Sequence, residues 1–162
     1  MDSLSVWIGG GKAEADFLPI DAMLHPDAEI AMQFWRTRPA EGIRIGRDVP
    51  SRAVARLLSR VIVCEPLPDG GDYRVHLAGG TVIQRFGYDI TGECLSEVFD
   101  DPSEFRSRLN GLNEALDSGT PHMMRVVYRA GSVELLRQEV LALPVTAPGG
   151  KDRWALVFAF YF

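Results

Sequence analysis

Three histidines, two cysteines and a run of arginines are the side chains of this 162-residue chain with chemistry to offer. Asp72 and His76 stand four apart in "DYRVH", which puts them on one face of a strand. A His–Asp pair converging inside an apolar cavity is acid–base equipment for a small cone-shaped α+β enzyme of lyase or cyclase type. Here Tyr73, Val75 and Leu77 hold the apolar face, so the pair looks to solvent or to covering helices. Cys64 and Cys94 show no CxxC spacing, which argues against zinc and a disulfide framework and for a reducing cytoplasm. Cys94 reads as a small buried residue. His25, His76 and His122 fall in a loop and on strands, too scattered to hold a metal. "GGGK", Gly9 to Lys12, lacks the spacing of a phosphate loop, and no GxSxG, HExxH or GxGxxG occurs.

The arginines are more suggestive. Arg36, Arg38, Arg44, Arg47, Arg52, Arg56 and Arg60 crowd 25 residues whose acids between them are Glu41 and Asp48. In an α-helix Arg52, Arg56 and Arg60 would share a face at i, i+4 and i+8. Such a face is either solvated, a docking patch for an acidic or phosphate-bearing partner, or the counterpart of the acidic run "EVFDDPSE", Glu97 to Glu104.

The elements that would position these groups are easier to read. Composition is that of one soluble globular domain: 46% hydrophobic, 24% charged, net charge −5, which argues against general nucleic-acid binding. No apolar run is long enough to span a membrane. Residues 1–26 read as a flexible N-terminal segment with little order before about residue 20. Residues 27–60 read as two helices, the first with Asp27 as N-cap and Ala28, Ala31, Met32 and Trp35 on its apolar side, the second with Val54, Leu57, Leu58 and Val61 buried. Residues 61–162 form the core domain. "VIVCEPL" and "YRVHLA" make a hairpin around "PDGGD". "PSEFRSRLNGLNEALDSG" is a helix with Ser103 as N-cap and a stripe of Phe105, Leu109, Leu112 and Leu116. "HMMRVVYR", "SVELLRQEVLALPV" and "RWALVFAFYF" are three antiparallel strands. The last is apolar on both faces and belongs in the middle of the sheet, whereas "YRVHLA" and "HMMRVVYR" carry edge-like charges. One sheet face packs on the middle helices. The Phe-rich other face needs a cover, either the N-terminal helices or a second subunit.

This order of two strands, a helical middle and three strands resembles a PAS domain. The phrase "FGYDITGECLSEVF", Phe86 to Phe99, resembles the family's G-Y-acidic-G phrase, and "RVHLAGGTVIQRFGYDITG" resembles small bacterial PAS proteins with an R-L-A-G-T…F-G-x-D-x-T-G phrase. His76 and the extra Gly80 depart from it. The resemblance covers about residues 30–162.

It implies an α+β fold with a five-stranded antiparallel sheet in the order 2-1-5-4-3. It also implies a non-catalytic cytoplasmic sensor or protein-interaction module in bacterial signalling. Because the chain stops after its last strand, the signal is expected to leave through partner contacts, in a homodimer or with another signalling protein. Neither nucleic acid nor membrane is expected as a partner. A haem or flavin sensor is the alternative within the family. The long helix has no histidine and the helical middle no Asn-Cys-Arg run, so no cofactor is expected. A small apolar ligand would meet Leu77, Phe86, Leu109, Leu112, Leu116 and Phe158. Partner docking would use Arg52, Arg56 and Arg60.

Overall fold

The structure, a computed structural model, describes residues 14–162. The Gly9–Lys12 run and the first half of the expected flexible segment lie outside the described residues. Six strands and their helices follow in the order β1 (Glu14–Pro19), α1 (Ala28–Arg36), a 3-10 helix (Arg52–Arg60), β2 (Val61–Pro66), β3 (Tyr73–Ala78), α2 (Gly80–Phe86), α3 (Leu95–Val98), α4 (Pro102–Ser118), β4 (His122–Ala130), β5 (Val133–Thr146) and β6 (Arg153–Tyr161).

The strands form one antiparallel sheet in the order β1-β4-β5-β6-β2-β3. Leaving β1 aside, this is the expected order. The correction is the sixth strand. "EADFLP" was expected to lie in a poorly ordered segment, but it pairs with β4 from Glu14↔Arg129 to Pro19↔Met124. The charge that marked β4 as an edge is consumed there, since Arg129 Nε donates to Asp16 at 3.0 Å. Edge positions therefore belong to β3, as expected, and to β1 instead of β4.

Strand β6 is the interior strand its two-faced sequence demands. Leu156, Phe158 and Phe160 face a core made with Ala31, Phe34, Ile43, Val54 and Leu57. Ala155 and Val157 face a second core with Leu95, Val98, Leu112 and Ala115. The N-terminal layer thus covers the Phe-rich face within one chain, and the observation behind the expected homodimer is met without a second subunit.

Side chains as well as backbone pairing of Ile43 and Ile45 with Thr146 dock that N-terminal layer. His25 sets its ring 5.2 Å from both Phe160 and Phe162. Glu139, fully buried on β5, accepts from the Leu24 N–H at 2.9 Å and the His25 N–H at 2.7 Å. A carboxylate out of water must be satisfied by donors, and here the donors are the backbone of the segment leading into α1.

The second N-terminal helix differs from expectation in its winding. A 3-10 helix has about three residues per turn, so residues four apart are turned by about 120°. Val54, Leu57 and Arg60, three apart, therefore share one row, and Val54 and Leu57 are fully buried. Arg60 extends that row, lies 6.0 Å over Phe160 and approaches Asp27 at 3.5 Å. Arg52, Arg56 and Arg60 do not share a face.

The join between β3 and α2 turns on two glycines. A Cβ at Gly79 would collide with the backbone carbonyls of Leu58 and Ser59, so the strand can leave the sheet beside the 3-10 helix only without a side chain there. Gly87, at φ +83°, ends α2 in the left-handed conformation. Between these two glycines the chain forms the short helix α2.

Replacing Glu139 by Ala strands two backbone donors in a dry site. Chemical denaturation of Glu139→Ala should show a loss of about 2–3 kcal/mol. A loss below about 0.5 kcal/mol would mean that the carboxylate does not dock the N-terminal layer.

Candidate functional site

Helix α4 carries the site. Asp101 caps it, accepting from the Ser103 N–H at 3.3 Å, so Ser103 belongs to the first turn and is not the cap expected. Gly119, at φ +69°, ends it as expected. The buried row of α4 is rotated by one residue from the expected stripe. Glu104, Gly111, Leu112 and Ala115 are buried, while Phe105, Leu109 and Leu116 are only half-buried. Glu104, Arg108, Gly111 and Ala115 repeat at spacings of 4, 3 and 4, so a charged pair and two small residues face the sheet. Gly111 is small because a Cβ there would press on the His122 ring at 3.1 Å.

Burying Glu104 and Arg108 costs desolvation that must be met locally. The Tyr128 hydroxyl donates to Glu104 Oε1 at 2.6 Å. Arg108 Nη2 donates to the Tyr128 oxygen at 2.9 Å and to Glu104 Oε1 at 3.4 Å. Gln138 Nε2 reaches the same hydroxyl at 3.4 Å. The Arg108 guanidinium lies 4.8 Å over Phe99 and 5.5 Å over Phe17. Burial disfavours its charge, but Tyr128 and Glu104 outweigh that and raise its pKa. Arg108 Nε is buried with no hydrogen-bond partner.

Between this network and the sheet lies a half-open cleft. Its outer part, about 90 Å³, is bounded by Arg85, Phe86, Arg108, Arg137, Gln138 and Tyr161 over a floor of Val140 and Val157. Its inner part, about 50 Å³, runs between Ile90, Leu95, Leu112, Met124 and Ala142 to Cys64. Ile62, Phe86, Phe99, Arg108, Val140 and Val157 line both, so the two are continuous. A water needs only about 10–15 Å³, so there is room for a small organic molecule. Burial alone holds the Tyr161 hydroxyl above its ordinary pKa against three nearby arginines, and pushes the Cys64 thiol up to about 12.

The six expected pocket residues divide. Phe86 lines both parts and Leu112 the inner part. Leu109 and Leu116 pack at the margin of the same core. Leu77 is 47% exposed, because the β2–β3 pairing shifts register at Val63/Cys64, near its partner. Phe158 lies on the opposite sheet face, with the N-terminal layer. Arg108, Tyr128 and Arg85 were missed. The available signal was Glu104 and Arg108 at i, i+4, heading a row that continues through Gly111 and Ala115.

The other chemical candidates stay apart. His76 packs 4.8 Å from the Trp154 ring, while Asp72 accepts from the Ser96 hydroxyl. Three arginines of the run pair with nearby acids: Arg36 with Glu29 at 2.6 Å, Arg47 with Glu41 at 3.1 Å and Asp48 at 2.8 Å, and Arg60 with Asp27 at 3.5 Å. Arg52 and Arg56 are exposed. The acidic run does not serve them, since Glu97 caps α3 and Glu104 serves Arg108. Among the described residues, no group of three His, Cys, Asp or Glu gathers to hold a metal ion. No helix among them is long and apolar enough to cross a membrane.

Tyr128→Phe removes one hydroxyl and leaves Glu104 and Arg108 short of a partner, so thermal or urea denaturation should show a loss of about 1–3 kcal/mol. An unchanged midpoint would show that the network is not holding the buried charges. In the native protein an alkylating reagent at pH 8 should leave Cys64 untouched, because only the thiolate reacts. Rapid Cys64 labelling, read by peptide mass, would mean that the cleft floor opens.

A PAS domain family model matches residues 23–156. No curated protein and no solved structure matches the chain. The matched span runs from Met23, beside the segment that Glu139 holds, to Leu156 in the central strand, and so includes the N-terminal layer as well as most of the sheet. Over most of its length, and with an antiparallel sheet carrying a cleft beneath its helices, this chain belongs to the PAS domain family.

Proposed function

We propose that this PAS domain is a sensor and protein-interaction module in bacterial signalling, non-catalytic, with a small molecule held in the cleft under α4. The observation that carries this reading is the cleft's make-up. Among the described residues its lining offers an apolar floor and a basic, aromatic mouth and no carboxylate; Glu114, 3.4 Å from His122, stands outside the lining on the exposed side of α4. Such a lining is equipped to hold a ligand and short of the groups to transform one.

Transmission would follow from the sheet itself. Val157 faces the cleft, while its neighbours Leu156 and Phe158 face the N-terminal layer. A ligand that shifts β6 on one side shifts packing on the other, and differential affinity for the two packings is what makes a signal. The exposed Arg52 and Arg56 on that layer would then serve as docking residues for an acidic partner protein.

The test is native mass spectrometry of protein purified from its source cells, followed by hydrogen exchange with and without the released molecule. The expected result is an unchanged small molecule in the complex. Exchange in the Arg52–Arg60 helix should also slow or quicken by about threefold or more when the molecule returns. Chemical conversion of the molecule by the protein would overturn the non-catalytic reading, and exchange confined to α4 would overturn the transmission.

A further inference from the structure

We propose that the cleft takes an amphipathic carboxylate, its head on Arg108 and its hydrocarbon along the floor toward Leu112 and Ala142. This rests on the reading of the cleft as a binding site and adds the chemical class of what it binds.

The first observation is charge. Three arginines, Arg85, Arg108 and Arg137, line the outer part of the cleft, and no Asp or Glu lines either part among the described residues. The two carboxylates that answer them stand behind: Glu104 against Arg108 at 3.4 Å, and Glu134 against Arg137 at 2.7 Å. Arg85 lies over the Tyr161 ring at 4.5 Å. The potential inside the cleft is positive, and its low-dielectric walls strengthen it.

The second observation is a donor without an acceptor. Both hydrogen bonds of Arg108, to Tyr128 and Glu104, leave from Nη2. Its Nε is buried and unpartnered. Buried polar groups are almost always satisfied, so an orphan donor on a residue lining a cleft marks the place of a missing acceptor. With Nη2 already given to Glu104 and Tyr128, Nε has one charge-assisted N–H to offer, and the oxygen of an anionic head such as a carboxylate is the acceptor that answers it.

The third observation is what lies beyond the head. The inner part is walled by Ile90, Leu95, Met124 and Ala142, with Arg108 where the two parts meet. A neutral hydrocarbon would fill this volume and leave Nε unanswered. An alkylammonium would meet three arginines. A free inorganic phosphate would answer the charge and leave the apolar part unused. Only a molecule with an anionic head and an apolar body uses both halves.

Titration calorimetry of the full chain with octanoate, octan-1-ol, octylammonium and inorganic phosphate tests this. Octanoate should bind about tenfold or more tightly than octanol, and phosphate and octylammonium should show no heat of binding. Arg108→Gln should abolish the preference for octanoate while octanol affinity stays within about twofold. If that variant does not fold, Arg108→Lys keeps the charge and loses Nε, and octanoate affinity should fall severalfold. Equal binding of octanoate and octanol by the native chain, or octanoate affinity indifferent to these variants, would overturn the carboxylate and leave the cleft standing as a binding site. Phosphate binding as tightly as octanoate would overturn the amphipathic part. Failure of both octanoate and octanol to bind would overturn this inference, while the source-cell mass spectrum judges the cleft independently.

Discussion

A strand that is apolar on both faces cannot lie on a surface. Strand β6 is such a strand: Ala155 through Phe160 are all buried. Each fully buried Leu, Val or Phe side chain contributes about 1.5–3 kcal/mol relative to exposure, so either face left open would forfeit a large part of a domain's net stability. Two cover layers follow from this. Helices α2 to α4 supply one, and α1 with the 3-10 helix supplies the other. The polar exceptions sit where those layers are attached. Glu139 alternates with apolar β5 residues and fastens the segment entering α1. Glu104 and Arg108 face the sheet from α4 and are answered by Tyr128 on β4, whose hydroxyl Gln138 of β5 also reaches.

The two attachments differ in kind. Glu139 meets backbone donors, which cannot rotate away, and Ile43 and Ile45 pair through their backbones with Thr146 of β5, so the N-terminal layer is held through main-chain groups. Glu104, Arg108, Tyr128 and Gln138 are side chains, held by distances from 2.6 to 3.4 Å. A network with a strong contact, two long contacts and an orphan Nε has other arrangements within reach of an added acceptor. The helical layer over the cleft is therefore the more adjustable of the two, and the N-terminal layer the more firmly held.

Much of the fold was legible because its signals are local. Strand-like runs bounded by turn residues marked the five expected strands, and the doubly apolar "WALVFAFYF" placed β6 in the interior. The misses have physical causes. β1 is six residues long with only Ala15 and Phe17 facing the core, too short a pattern to stand out from a terminal segment. Its presence explains why Arg129 on β4 imitated an edge charge. The 3-10 winding of Arg52–Arg60 was hidden because Val54, Leu57, Leu58 and Val61 satisfy an α-helical stripe equally well, yet spacing of three rather than four decides where Arg60 goes. At the site the error was a rotation by one residue. The apolar stripe Phe105, Leu109, Leu112, Leu116 was the louder pattern, but the row set against the sheet is the one with small residues, because Gly111 must pass the His122 ring. Turning the helix to bring Gly111 inward brings Glu104 and Arg108 inward with it.

That geometric necessity bears on how the cleft acquired its charge. Close approach of α4 at Gly111 and Ala115 fixes the helix's rotation, and the residues one and two turns earlier are then committed to the sheet side whatever their type. Apolar residues there would simply extend the core, and replacing a buried ion pair by well-packed apolar side chains is often neutral or stabilising. Stability therefore gives no reason for an arginine at position 108. Tyr128 and Glu104 satisfy the charge from Nη2, and neither meets Nε. On the proposed reading the pair is a compromise in which packing sets the helix's orientation and recognition sets the residue. Its incomplete satisfaction leaves the cleft's chemistry open to whatever supplies the remaining acceptor.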